Sequence, residues 1–142
     1  MLKKDYLHLE TTNRCTLKCP ACPRTVWQNL IKQPIQKADL NPDHLKSFLD
    51  CKSMEDIDKF TLCGDYGDTI YYPHLFRLIK MFREKAFSIS TNGSYKSKEW
   101  WTELNRLLTD RDTIIFGIDG LGDQNLKYRV NANWKSIETA ID

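Results

Sequence analysis

Strand-like and helix-like segments alternate along the whole chain of 142 residues. Four short segments rich in β-branched and aromatic residues predict strands, at residues 6–11, 58–62, 87–91 and 113–118. Amphipathic helical patterns lie between these strands and after the last one. Such alternation is typical of βα units built around a parallel sheet. The sequence therefore predicts an α/β fold with about four βα units.

Two of the helical patterns begin at a polar residue that can cap a helix. These caps are Asn41, which is followed by Pro42, and Ser97. A fourth helix is expected to begin near Asn133. A further helix is expected to open at Pro73. The apolar stripes that we expect to face the core include Leu45, Phe48 and Leu49 in the first helix, Leu75, Leu78, Ile79 and Phe82 in the second, Trp100, Leu104, Leu107 and Leu108 in the third, and Trp134, Ile137 and Ile141 in the fourth.

Ligands of parallel α/β sheets bind at the carboxyl ends of the strands, on the loops that follow them. In this chain those loops are expected at residues 12–24, 63–72, 92–96 and 119–131. Nearly all the chemically unusual residues of the sequence fall in these four segments. A site is therefore expected where the four loops meet.

Composition restricts the class of protein. Hydrophobic residues make up 41% and charged residues 28%, as in ordinary folded domains. Lys and Arg number 21 against 19 Asp and Glu, and they are scattered, so no nucleic-acid footprint is predicted. No apolar run approaches the roughly 20 residues of a membrane span, and the first ten residues do not resemble a signal peptide. We expect a cytoplasmic protein with no membrane partner.

Three of the five cysteines stand within eight positions, in "CTLKCPAC" (15–22). In a reducing compartment this clustering indicates a metal or a catalytic site rather than disulfides. Zinc is the weaker interpretation, because a structural zinc ion is bound by four protein ligands and no second cysteine pair follows. An iron–sulfur cubane bound by three cysteines leaves one iron without a protein ligand. That iron is open to a substrate or a cofactor.

The segment "ETTNRCTLKCPACPR" (10–24) resembles the cluster loop of the radical S-adenosylmethionine (radical SAM) superfamily, whose Cys-x3-Cys-x2-Cys motif follows the first strand of a βα barrel. The resemblance implies that Cys15, Cys19 and Cys22 hold three irons of a 4Fe-4S cluster, and that SAM chelates the fourth. Ala21 stands where many members carry a large residue near the SAM adenine. The sequence looks most like the branch that contains peptide-modifying maturases.

The second predicted loop, "CGDYGDTIYYPHL" (63–75), resembles the Gly-Gly-Glu-Pro turn that receives the SAM amino group in this superfamily. Gly67 and Asp68 match its Gly-Glu pair, and Thr69 replaces the proline. The resemblance implies that the Asp68 carboxylate binds the ammonium group, which suits the charges of both. The alternative is an ordinary glycine-rich turn that leads into a helix.

The last two loops carry weaker matches. "FSISTNGS" (87–94) resembles the third-strand motif, which implies that Ser90, Thr91 and Asn92 face the SAM ribose and methionine. The alternative for Asn92 is a tight turn with Gly93. "IIFGIDGL" (114–121) resembles the fourth-strand motif, with Gly117 where serine is frequent, and implies that Asp119 meets SAM or substrate. The alternative for Asp119 is a cap on the turn at Gly120.

Four further residues are candidates for either a structural or a functional role. Cys51 is expected to be a small buried apolar residue, as free cysteines often are. Cys63 adjoins the glycine–acid turn and is a candidate second ligand or reactive thiol. His8 is expected to pack inside the barrel. For Arg129 the resemblance implies a match to a basic residue that faces the SAM carboxylate in some members, and the favoured alternative is an exposed arginine.

The resemblance implies an enzyme that reductively cleaves SAM to a 5'-deoxyadenosyl radical, which abstracts hydrogen from an unidentified substrate, with a peptide as one candidate. An external electron donor such as flavodoxin or ferredoxin is implied. Residues 1–142 are expected to form one radical SAM core domain. Six units of a partial barrel would need about 190 residues, so we expect the domain to be incomplete at its C-terminus and a second chain to complete the barrel. The alternative function is a non-enzymatic iron–sulfur or zinc domain in electron transfer or protein interaction.

Overall fold

Four parallel strands form a single sheet in the computed structural model, which describes residues 6–51, 54, 56–62 and 64–142. The strands are β1 (Tyr6–Leu9), β2 (Lys59–Leu62), β3 (Ala86–Thr91) and β4 (Thr113–Phe116), and they lie in that order across the sheet. Each adjacent pair is parallel. The predicted α/β fold with a parallel sheet is confirmed, and each strand ends within two residues of its predicted bounds.

The core lies on one face of this sheet. Phe60 stands opposite Phe87, and Leu62 stands opposite Ile89, in the register of β2 with β3. All four side chains are almost fully buried, and the rings of Phe60 and Phe87 meet edge to face at 5.6 Å between centroids. Burial of a side chain of this size contributes about 1.5–3 kcal/mol. The central strands therefore provide the most stable support for the loops at their ends.

The helices are α1 (Pro23–Ile31), α2 (Pro42–Leu49), α3 (Leu75–Met81), α4 (Lys98–Leu107), α5 (Asp123–Tyr128) and α6 (Trp134–Ile141). A short 3-10 helix spans Thr69–Tyr71. Both predicted caps are confirmed, because Asn41 and Ser97 accept hydrogen bonds from the backbone N–H groups of Asp43 and Trp100. The predicted helix start near Asn133 is confirmed too, and Asn133 caps α6 by accepting from the backbone N–H of Ser136. α3 begins at Leu75, two residues after the predicted Pro73.

Two helices lie where loops were predicted. α1 starts inside the expected loop 12–24, and α5 lies inside the expected loop 119–131. α1 has Pro23 at its first position, which is a helix-start signal, but it buries only Thr25, so its apolar residues do not form an inward stripe. α5 has six residues, fewer than two turns, and such a short segment shows no clear periodicity.

Several burial predictions are wrong. Phe48 and Ile141 were expected to face the core, but they are 49% and 56% exposed. In α2, Leu45 is buried and Leu49 packs against the core, whereas Phe48 lies toward the solvent, and Ile141 is the last residue of α6. Cys51 was expected to be buried and is exposed, since it follows the surface end of α2.

The face of the sheet opposite the helices carries mostly polar side chains. His8 lies on this face and is exposed, with its Nε2 atom 3.5 Å from Oε1 of Glu10. The expectation that His8 packs inside a barrel is therefore wrong. Thr61 and Ser88 are its neighbours across the sheet in β2 and β3. Small polar residues here contrast with the branched apolar layers that fill a closed βα barrel.

Within the described part of the chain, no helix has both the length and the apolar character that crossing a bilayer requires.

Candidate functional site

A cavity of about 480 Å³ opens at the carboxyl ends of the strands. Residues from the loops after all four strands border it, together with the last residues of β3 and Ile115 of β4. All nine residues predicted for the site line this cavity: Cys15, Cys19, Cys22, Gly67, Asp68, Ser90, Thr91, Asn92 and Asp119. The four loops thus converge as expected for a parallel sheet. Which ligands these residues bind stays a prediction.

The cysteine loop is held in place by Asp39, which sequence reasoning missed. The Asp39 carboxylate accepts a hydrogen bond from the Thr12 hydroxyl at 2.7 Å and forms a two-pronged ion pair with Arg14. Asn13 and Ala38 exchange further bonds alongside. The Arg14 guanidinium hydrogen-bonds the Asp39 carboxylate, and this lowers the pKa of Asp39. The segment just before Cys15 is therefore anchored to a residue 25 positions later.

The three thiols have different surroundings. Cys15 Sγ accepts a hydrogen bond from the backbone N–H of Leu17 at 3.4 Å, and the Nδ2 atom of Asn92 lies 3.7 Å from the same sulfur. Cys19 is buried, and Cys22 is half-buried at the start of α1. Burial raises the pKa of Cys15 to about 11. Burial also raises the pKa of Cys19, although the nearby Arg129 opposes that effect.

Gly67 is required by a close approach of two loops. A Cβ atom at this position would stand 2.0 Å from the carbonyl oxygen of Thr12, a distance that no packing allows. The next residue, Asp68, donates its backbone N–H to the carbonyl of Arg14 at 2.8 Å. The glycine–acid turn is therefore packed directly against the entrance of the cysteine loop.

The Asp68 carboxylate joins this turn to the end of β3. It accepts hydrogen bonds from the backbone N–H of Asn92 at 2.7 Å and from that of Ile70 at 3.2 Å, and also from the side-chain amide of Asn92. Asp68 is only 5% exposed, and burial raises its pKa while these bonds oppose the rise. A ligand ammonium group would have to share the oxygens that already bind the protein.

Asn92 both makes a turn and faces the cavity. Its Oδ1 atom accepts from the backbone N–H of Ser94 at 2.9 Å, while Thr91 Oγ1 accepts from Gly93, whose φ is 72°. The alternative of a tight turn with Gly93 is thus present in the structure. Since the amide of Asn92 also points toward Cys15, the turn does not exclude a role in the site.

Asp119 pairs with Arg129 across the mouth of the cavity. The Arg129 Nε atom donates to Asp119 Oδ2, and Arg129 also lies against Gly117 and close to Cys19. The next residue, Val130, accepts from the backbone N–H of Lys18 at 3.0 Å. Arg129 is half-buried, so the interpretation as an exposed arginine is wrong. The Asp119 carboxylate is engaged by Arg129, so the alternative of a cap at Gly120 receives no support.

Tyr71 is a second residue that sequence reasoning missed. Its hydroxyl donates to the carbonyl of Ser94 at 2.6 Å and lies 2.9 Å from the hydroxyl of Thr16, in the cysteine loop. Burial raises the pKa of Tyr71, so the hydroxyl keeps its proton for these bonds. No local pattern marks such a residue, because its partners are 23 and 55 positions away.

The remaining two cysteines of the chain are Cys51 and Cys63. Cys51 is exposed and does not line the cavity. The predicted role of Cys63 as a ligand or reactive thiol falls on a residue outside those that the structure describes.

Three of the donors that line the cavity are cysteine thiols. Over residues 6–51, 54, 56–62 and 64–142, no three His, Cys, Asp or Glu side chains are arranged to hold one metal ion. In a cubane, each thiolate binds a different iron, so three thiols need to surround the cluster without meeting at one point. Soft thiolate ligands suit iron–sulfur clusters. Three cysteines bordering a 480 Å³ cavity fit that requirement.

Comparisons with known proteins agree with this architecture. No protein-family model matches the chain. The tungsten-containing aldehyde ferredoxin oxidoreductase cofactor-modifying protein of Pyrococcus furiosus is 28% identical over 118 residues, which are 82% of this chain and 31% of the relative. The crystal structure of BtrN in complex with AdoMet and 2-DOIA has a similar fold, with a TM-score of 0.59 and 15% identity over 96% of this chain and 55% of BtrN. The chain spans about a third of the first protein and about half of the second.

Proposed function

We propose that this chain is the core of a radical SAM enzyme, in which Cys15, Cys19 and Cys22 hold a 4Fe-4S cluster and SAM binds beside it. When bound, the reduced cluster and SAM together supply a 5'-deoxyadenosyl radical that abstracts hydrogen from a substrate. One observation carries the proposal: three thiols of one loop and the polar residues of three other loops line a single cavity at the carboxyl edge of a parallel sheet.

The chain's own residues would hold and orient these groups. Among the described residues, those at and after the ends of β3 and β4 that line the cavity carry hydroxyl, amide, carboxylate and guanidinium groups and no thiol. There Ser90 and Thr91 offer hydroxyl groups that suit the ribose of SAM. The guanidinium of Arg129 suits its carboxylate, because arginine binds carboxylates through paired hydrogen bonds. Asp68 would receive the ammonium group while it holds Asn92 in place.

The two similar proteins support the proposal in different ways. The Pyrococcus furiosus relative is named as a cofactor-modifying protein, and BtrN was crystallised with AdoMet. A modifying reaction that uses SAM in this fold is consistent with both. The resemblance in sequence favours a peptide substrate, whereas the relative's name favours a cofactor. A small set of peptides and cofactor precursors is therefore the first group of substrates to screen.

An external one-electron donor of the flavodoxin or ferredoxin type is part of the proposal, because reductive cleavage of SAM consumes one electron. A second chain that completes the barrel also stays a proposal. β1 and β4 are the edges of the described sheet, and Ile115 on β4 is 50% exposed. Exposed edges pair readily with further strands.

The test is the response of the reconstituted chain to SAM. The protein is loaded with iron and sulfide without oxygen and reduced with dithionite, and its electron paramagnetic resonance spectrum is recorded with and without SAM. We expect SAM to change the spectrum and 5'-deoxyadenosine to form on incubation. If saturating SAM does not change the spectrum of the cluster, the result would instead favour the non-enzymatic iron–sulfur domain. A chain that binds zinc and never a cluster would contradict both.

A further inference from the structure

Helix α1 presents an exposed apolar face next to the cysteine loop. This face, here called the α1 face, consists of Val26, Trp27, Leu30 and Ile31, which are 43%, 55%, 70% and 37% exposed. The positions 26 and 30, and 27 and 31, are one turn apart, so the four side chains share one side of the helix. Contiguous apolar surface of this kind marks interaction sites in folded proteins.

The segment that carries this face contains basic residues and no acidic one. Residues 11–38 contain Arg14, Lys18, Arg24, Lys32 and Lys37 and no acidic residue, whereas the rest of the chain has 16 basic and 19 acidic residues. Arg14 is paired with Asp39, but Lys18, Lys32 and Lys37 are exposed. The segment that carries the α1 face is therefore positive along its length, on a chain whose remaining residues are slightly acidic, and Lys32 directly follows the face at the end of the helix. A partner with negative charge around an apolar contact would be complementary.

The α1 face is also joined directly to the predicted cluster. Cys22 is the N-cap of α1, and its carbonyl accepts the backbone N–H of Val26 at 3.0 Å. At 1.5 Å of rise per residue, Trp27 lies about 7.5 Å and Leu30 about 12 Å along the helix from Cys22. A protein docked on this face would therefore sit within a short distance of the thiols.

We propose that the α1 face is the docking surface for a small acidic electron-transfer protein that delivers one electron to the site. This inference rests on the proposed function, which requires such an electron. An apolar contact with the exposed Lys32 at its end fits a protein partner better than a nucleic acid, which would need base-stacking or phosphate contacts along a groove. With a flavodoxin as donor, the anionic hydroquinone loses one electron and becomes the neutral semiquinone. A 4Fe-4S cluster held by the three cysteines would take up that electron and pass from its 2+ to its 1+ state, and no proton moves.

The first measurement is binding, which does not depend on turnover. Oxidised flavodoxin is titrated into the reconstituted full chain without oxygen, and the Kd is measured at two salt concentrations. We expect Leu30→Asp to raise the Kd at least tenfold and Lys32→Glu to raise it about fivefold, because an apolar contact and a charge pair are lost. Ile141→Asp and Lys80→Glu are the matched controls at exposed positions of other helices, and they should change the Kd less than twofold. Higher salt should weaken binding of the unchanged chain.

The second measurement separates the docking proposal from the proposed function. SAM cleavage is followed with dithionite and, in parallel, with flavodoxin hydroquinone as the reductant. We expect Leu30→Asp to keep the dithionite rate and to lose most of the flavodoxin-supported rate. Equal losses with both reductants, equal effects of the control variants, or no flavodoxin binding would overturn the docking proposal alone. No response to SAM under dithionite would overturn both proposals.

Two other occupants of the α1 face are distinguished by the same variants. If a second copy of this chain covers the face, light scattering will show a dimer that Leu30→Asp dissociates. If a nucleic acid covers it, a mixed-sequence oligonucleotide will bind and Lys32→Glu will weaken that binding more than Leu30→Asp does. Either result contradicts the assignment to an electron-transfer protein.

Discussion

Asn92 donates its backbone N–H to the carboxylate of Asp68 at 2.7 Å, which ties the end of β3 to the turn that follows β2. The side-chain amide of the same asparagine lies 3.7 Å from the sulfur of Cys15. One pair of residues therefore connects three of the four loops around the cavity. A change at either residue should affect both the stability of the fold and the site.

We expect Asp68→Ala to lower the free energy of unfolding by about 2–3 kcal/mol, because the buried N–H groups of Asn92 and Ile70 lose a charged acceptor. SAM binding to the reconstituted protein should weaken as well. Chemical denaturation and a SAM titration measure the two effects. Asp110→Ala, at an exposed residue, is the control and should change neither. An unchanged unfolding free energy in Asp68→Ala would contradict the linking role of the carboxylate.

Gly67→Ala tests the close approach of the turn to the cysteine loop. A methyl group would meet the Thr12 carbonyl at 2.0 Å, so the two loops must separate. We expect a loss of about 1–3 kcal/mol of stability, as for other overpacked sites, together with a lower iron content after reconstitution. In Gly122→Ala the new methyl group meets no atom within 4 Å, and only the positive φ of 54° is strained. That control should keep its full iron content. Equal iron content in both variants would count against the packing argument.

Replacement of the cysteines one at a time tests the ligand assignment. We expect the unchanged chain to take up about four irons and each of Cys15→Ala, Cys19→Ala and Cys22→Ala to lose the cluster. Cys51→Ala is the control, because Cys51 is exposed and does not line the cavity. Iron and sulfide analysis with absorption spectroscopy gives the result. If Cys51→Ala removes the iron and the other three variants keep it, the assignment is wrong.

The pairing of Asp39 with Arg14 predicts a dependence of stability on pH. The pKa of Asp39 is lowered in the folded chain by the hydrogen bonds of Arg14, so folding favours the ionised carboxylate. This contribution is complete above the pKa of the unfolded chain, near 3.8, and is lost as the pH falls through the lower folded value. Asp39→Asn should therefore be less stable than the unchanged chain at pH 7, and the difference should shrink toward pH 3.

Thermal denaturation at a series of pH values measures this difference. Asp110→Asn is a suitable control, since Asp110 is an exposed acid and no partner holds it among the described hydrogen bonds and ion pairs. A difference between Asp39→Asn and the unchanged chain that stays constant from pH 7 to pH 3 would show that the carboxylate charge contributes nothing.

The features that sequence alone determined are those that depend on near neighbours. The alternation of strands and helices predicted the parallel sheet, and Asn41, Ser97 and Asn133 predicted the starts of α2, α4 and α6. Each of these is a local preference of the backbone. Ligands of parallel sheets bind at the carboxyl ends of the strands, and this rule predicted that the loops there share one site. In the structure all nine predicted site residues line one cavity.

Tertiary structure alone decided which distant groups meet. Asp39 reaches Arg14 across 25 positions, Tyr71 reaches Thr16 across 55, and Asp68 reaches Asn92 across 24. These contacts depend on the register of the strands and on loop paths, which no local pattern encodes. The same holds for exposure: Cys51 and the apolar residues of α1 have the composition of a core, yet they lie at the surface. Burial is decided by what packs against a residue, and the sequence around that residue does not contain its distant neighbours.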